Sequence, residues 1–213
     1  MRSHAALTCG EPKVTQSAMH GLLVNAPLPA PAWQTTAWLN TDAPLDLERL
    51  RGRVVMLHAF QMLCPGCVAR GLPQAQRVAE AFADAPLVVV GMHTVFEHHD
   101  AMKIESLRAF LYEYRFRFPV GVDAPDPEGD AIPQTMRAYG MRGTPTTVLI
   151  DARGRRRRQV FGVHDDLLLG AELQTLLLEA SASPSAPVEE GVSGDGCDAN
   201  SCPVPAGESR REP

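Results

Sequence analysis

The run Val54-Val55-Met56-Leu57-His58-Ala59-Phe60, followed at once by Gln61-Met62-Leu63-Cys64-Pro65-Gly66-Cys67, constrains this chain more than any other stretch. An apolar run bounded in this way predicts a strand buried on both faces, as in a parallel sheet. A helical stripe follows in Val68, Leu72, Ala75, Ala79 and Phe82, with Pro73 inside it, where a kink is expected. Leu87 to Met92 predicts the next buried strand and completes a strand–helix–strand unit. Open α/β sheets place their chemistry at the carboxyl ends of such strands, and the two cysteines fall there. Two thiols at this spacing at the start of a helix can close a small disulfide ring. The helix N-terminus favours a thiolate at Cys64, and the thiolate is the form that attacks a disulfide.

The rest of the chain extends this unit. Trp38-Leu39 predicts a short strand, and Leu47 and Leu50 are spaced for one helical turn that Gly52 ends. After a polar loop from His93 to Asp100, a stripe of Ile104, Leu107, Phe110, Leu111 and Tyr114 predicts a helix. Phe118 to Val122 predicts a strand, with Pro119 at an edge or a strand start. Ile132, Met136 and Tyr139 mark a short helix ending at Gly140. Gly143-Thr144-Pro145 precedes the strand Thr146 to Asp151, a turn at Ala152 to Arg155, and a partner strand from Arg156 to Phe161. Asp165 or Asp166 caps a last helix whose apolar face includes Leu168, Leu169, Leu173, Leu176 and Leu177.

Composition sets the outer limits. A chain of 213 residues, 45% hydrophobic and 21% charged, fits one globular domain with loose ends. Residues 1–36, rich in Pro and Ala, are expected to form a flexible or surface-wrapping arm, 37–180 the domain, and 181–213 a disordered tail of Ser, Pro, Gly and charge. A net charge of −5 and the lack of a basic stripe interleaved with aromatics argue against a nucleic-acid partner. No apolar run is long enough to cross a bilayer. Polar residues interrupt any signal-peptide core near the N-terminus, so a cytoplasmic location is expected. The five cysteines are Cys9, Cys64, Cys67, Cys197 and Cys202, an odd and scattered set unlike a secreted disulfide framework.

These motifs in this order resemble the thioredoxin-like superfamily over roughly residues 38 to 178. The lead-in Leu45-Asp46-Leu47-Glu48-Arg49-Leu50-Arg51-Gly52-Arg53 and the segment inserted before Thr144-Pro145 are similar to the TlpA/ResA-like thiol-disulfide oxidoreductases. The resemblance implies a three-layer α/β/α fold on a central mixed sheet, with a helical insert and an N-terminal extension. It implies a thiol-disulfide oxidoreductase, in the first instance a disulfide reductase, working through a mixed disulfide with no bound cofactor. Its partners are then protein or small-molecule disulfides and a thiol reductant. It also implies a cis Thr144–Pro145 bond beside the dithiol. The chain departs from the family in three places. Leu63 stands where a Trp is usual, His58 where a buried Asp or Asn is usual, and Pro73 one place later than usual.

Several candidate groups follow. Cys64 is the attacking thiolate and Cys67 the resolving thiol, with Pro65 and Gly66 shaping the ring. Placed by the family's register beneath Cys67, His58 is a candidate to accept or return the resolving proton. Thr144, Pro145 and Leu63 are expected to line the substrate groove, with strand-like pairing at the Thr144 backbone. Cys197 and Cys202 form a second close pair able to exchange with the first or to bind a soft metal. His93, Glu97, His98, His99 and Asp100 have metal-ligand chemistry but read more simply as a solvated loop. Arg153 and Arg155 to Arg158 are expected to form a charged edge strand that resists aggregation.

Two other functions use the same residues. A thiol peroxidase needs Thr or Ser three residues before its cysteine and Pro four before that, where this chain has Gln61 and Leu57. A copper- or other metal-binding module would use Cys64, Cys67 and a histidine such as His93.

Overall fold

The computed structural model describes residues 27–182. Cys9, Cys197 and Cys202, and with them the expected tail dithiol, lie outside the described residues.

The strands are β1 (Leu28–Pro29), β2 (Thr35–Leu39), β3 (Val54–Phe60), β4 (Leu87–His93), β5 (Val120–Asp123), β6 (Thr146–Ile150) and β7 (Arg155–Phe161). They form one mixed sheet in the order β1-β7-β6-β3-β4-β5-β2. β3 lies at its centre, parallel to β4 and antiparallel to β6. All seven β3 residues are buried, as an apolar run with covered faces requires. The helices are α1 (Leu72–Ala81), α2 (Ile104–Glu113), α3 (Gln134–Ala138) and α4 (Asp166–Ala182).

Alternation along β3 divides the core. Val54, Met56 and Phe60 pack with Leu72, Ala75 and Val78 of α1, Leu107 and Leu111 of α2, and Leu169, Leu173 and Leu176 of α4. Val55, Leu57 and Ala59 pack on the other face with Met136 and Tyr139 from the α3 region and with Leu47 and Leu50. Each large side chain buried here contributes roughly 1.5–3 kcal/mol of transfer free energy. The result is the expected three-layer arrangement, with β3 carrying its carboxyl end to the cysteines.

Local chemistry fixes the ends of elements. Asp165 Oδ1 accepts hydrogen bonds from Leu167 N and Leu168 N, both at 3.0 Å, so it is Asp165 that caps α4. The Asp123 carboxylate reaches from β5 to accept from Thr135 N at 2.8 Å and Met136 N at 3.0 Å, starting α3. Pro119 stands just before β5, where its missing N–H breaks no ladder bond.

Three expectations change. The Leu47–Leu50 segment is a hydrogen-bonded turn rather than helix. β7 is not an edge strand, because Leu28 pairs with Arg156 and Pro29 with Arg155. Its arginines are also not a free charged rim. Arg155 and Arg157 pair with Asp151, Arg157 with Glu179, and Arg158 with the buried Glu172. β1 belongs to the segment expected to wrap the surface, which is further tied down where Trp33 Nε1 donates to Tyr139 Oη at 3.1 Å.

Candidate active site

The dithiol stands where β3 turns into helix. Cys64 N donates to Gln61 O at 3.3 Å, closing a turn, and Cys64 O accepts the first helical bond from Val68 N at 3.1 Å. Cys64 is thus the residue that caps the helix, and Pro65 takes the first helical position, where an absent N–H costs nothing. From Cys67 to Gly71 the chain forms a π-helical turn, and α1 begins at Leu72 with Pro73 in its first turn. A π turn accommodates one extra residue within a helix. Pro73 stands at the second residue of α1, just after this turn.

The second half of the site comes from far along the chain. Thr144–Pro145 is cis. The Cys64 thiol donates to Thr144 O at 3.4 Å. A side chain starting at Gly66 would stand 3.3 Å from Pro145 Cδ, so the proline ring lies directly against the dithiol loop. Gly162 N donates to Pro145 O at 2.8 Å, which anchors the loop to the end of β7. Phe161 lies against Gly143, and the Arg142 guanidinium stands 5.1 Å above its ring.

The two thiols have different surroundings. Cys64 is half-buried, beside Leu63, which is 56% exposed. Cys67 is fully buried. Burial, reinforced by a hydrogen bond with Cys64, pushes its thiol up to about 12, against smaller opposing hydrogen bonds from the Gln61 backbone and the Thr144 side chain. Both cysteines are free thiols.

His58 lies on the same face of β3 as Met56 and Phe60, and its ring is buried. Its Nδ1 is 3.1 Å from Thr147 Oγ1 on β6, and its Nε2 has no hydrogen-bond partner among the described residues. Burial pushes it down to about 4, so the ring is neutral at physiological pH. It faces Gly71 and Pro145: a side chain at Gly71 would begin 2.7 Å from His58 Nε2 and 3.2 Å from Pro145 Cβ.

The structure therefore gathers Cys64, Cys67, Thr144, Pro145, Gly66 and His58, with Leu63 and Pro65 on the exposed lip. Sequence reading did not find Gln61, Thr147 or Gly71. Gln61 is buried, its amide accepting from Phe96 N at 3.3 Å and donating to Glu97 Oε1 at 3.4 Å. The signals were a polar residue closing an apolar strand and a glycine inside a helical pattern. The histidine-rich group is dispersed. His93 is the last residue of β4, buried 5.3 Å from the Phe60 ring, while His98 and His99 are exposed. Among the described residues no group of three or more His, Cys, Asp or Glu could hold a metal ion.

Comparison with known proteins bears on the family and the fold. The AhpC/TSA family matches residues 28–158. A thioredoxin-like superfamily protein of solved structure is 52% identical, with a TM-score of 0.69, over 75% of this chain and 99% of that one. A thiol-disulfide isomerase from Corynebacterium glutamicum is 46% identical, with a TM-score of 0.66, over 70% of this chain and 96% of that one. Protein DipZ of Mycobacterium tuberculosis is 29% identical over 154 residues, 71% of this chain, and the match spans only 21% of DipZ. With its dithiol facing a cis-proline at the end of the central strand, the chain belongs to the AhpC/TSA family, as a thioredoxin-fold thiol-disulfide oxidoreductase.

Proposed function

We propose that the protein reduces disulfides, with Cys64 attacking and Cys67 resolving. The contrast between the two thiols carries this reading: Cys64 reaches the surface, whereas Cys67 is sealed in and held protonated. The Cys64 thiolate attacks one sulfur of the substrate disulfide, forming a mixed disulfide and releasing one substrate thiolate. Cys67 then loses its proton and attacks Cys64 Sγ, releasing the second thiolate. Two electrons pass to the substrate, and the Cys64–Cys67 disulfide must be reduced again by a thiol donor.

Thr144 and Pro145 border the attacking sulfur. The Thr144 carbonyl accepts from the Cys64 thiol. Substrate is proposed to lie between Leu63 and this loop, its backbone pairing at Thr144.

His58 suits a structural task better than proton transfer. His58 Nδ1 is engaged with Thr147 Oγ1 on β6, and the influences on the Cys67 thiol come from burial and from Cys64, Gln61 and Thr144. A base held down to about 4 is also a poor acceptor for a thiol pushed up to about 12. The peroxidase reading finds no support in the residues. Leu57 is core, and the Gln61 side chain is buried and tied to Phe96 and Glu97.

Paired serine substitutions test the assignment with a protein disulfide as substrate. Cys64→Ser should lower turnover by at least about 1,000-fold. Cys67→Ser should abolish turnover while accumulating a mixed disulfide at Cys64. A mixed disulfide trapped at Cys67 in the Cys64→Ser protein would reverse the assignment.

A further inference from the structure

The histidine in the central strand and the π turn that precedes α1 meet at one point. That point is Gly71, the last residue of the π turn. Gly71 is buried and its φ is an ordinary helical −64°, so backbone conformation does not require glycine there. Space does. A methyl group at Gly71 would begin 2.7 Å from His58 Nε2 and 2.8 Å from His58 Cε1, closer than non-bonded atoms approach. It would also stand a tight 3.2 Å from Pro145 Cβ. The imidazole cannot swing clear freely, because its Nδ1 is 3.1 Å from Thr147 Oγ1 and its neighbours on the strand are core.

We propose that Gly71 is a positioning residue for the dithiol, resting on the oxidoreductase reading above. Lacking a side chain, it lets the turn that begins at Cys67 sit directly on the His58 imidazole and the Pro145 ring. This single contact joins the dithiol helix, the central strand and the cis-proline loop. It sets how far Cys64 Sγ stands from Thr144 O across the groove. The π turn and His58 are then one device: the extra helical residue brings a glycine over an imidazole that a regular turn with a larger residue would strike. His58 acts through this contact, as a spacer.

The inference predicts non-additivity between the two positions. Gly71→Ala should slow exchange of reduced Cys64 with an aromatic disulfide reagent about tenfold, since overpacking a buried site forces the helix or the ring to move. In a His58→Ala background, where the obstructing ring is gone, the same change should alter the rate less than twofold. The equilibrium of the Cys64–Cys67 couple with glutathione should follow the same pattern, which general destabilisation would not produce. Equal effects of Gly71→Ala in both backgrounds would overturn the proposal. If Gly71→Ala alone does not fold, recovery of a cooperative melt in Gly71→Ala/His58→Ala supports the contact, and failure of both overturns it. Should the unsubstituted protein exchange with no disulfide at all, the functional reading falls and the positioning role with it. The packing contact would still be read from the melting temperatures.

Discussion

The two sides of the dithiol differ more than the two cysteines' chemistry does. The outer side is made of Leu63, Cys64, Pro65 and Phe161, exposed or half-exposed side chains just past the end of β3 and at the end of β7. The inner side is Cys67, His58, Gly71 and Gln61, all buried against the sheet. The inner side carries no charge at physiological pH, since His58 is neutral and Cys67 stays a thiol. On the proposed reading, access separates attack from resolution: a substrate disulfide would meet Cys64 first, and Cys67 would reach it only through Cys64.

Stability should divide along the same line. Leu72→Ala removes a fully buried side chain next to Gly71 on the inner side and is expected to cost about 2–5 kcal/mol, whereas Leu63→Ala on the lip should stay within about 0.5 kcal/mol. Urea denaturation of both variants checks this. A large loss at Leu63 would mean that the outer side is packed structure and not a free surface.

A second effect reports on the buried histidines through pH. His58 and His93 are both pushed down to about 4 by burial, from an ordinary 6.5. The unfolded chain therefore takes up these protons before the folded one does. Stability is complete above pH 6.5 and is lost as pH falls toward 4, by roughly 3 kcal/mol for each ring. Urea titrations at pH 7 and near pH 4.5 should show this loss, and His58→Asn should remove about half of it. A stability profile unchanged by that substitution would show that His58 is more open to water than the sheet implies.

Much of the outer side was legible in the sequence. An apolar run into Cys-Pro-Gly-Cys located β3 and the dithiol, and Gly143-Thr144-Pro145 located the loop that faces it. These motifs state their own geometry: a buried strand, a proline at a helix start, a proline before a strand. The inner side was less legible, because it depends on which buried atoms touch. The late Pro73 was visible, yet only the backbone shows that a π turn precedes it. His93 reads as the start of a polar loop, but pairing with Phe60 carries β4 one residue further and buries it. The arginines of β7 read as an exposed edge because their partners, Asp151, Glu172 and Glu179, and the covering strand β1 come from other parts of the chain.

The contrast between the two sides is tested most directly by the alkylation rate of each cysteine in the reduced protein as pH is raised. Cys64 should be labelled by iodoacetamide at neutral pH, and Cys67 should stay unlabelled until the pH nears 12 or the fold is lost, because burial holds its thiol protonated there. Comparable labelling of both thiols at neutral pH, with the fold intact by circular dichroism, would contradict the division into an attacking and a sealed resolving cysteine.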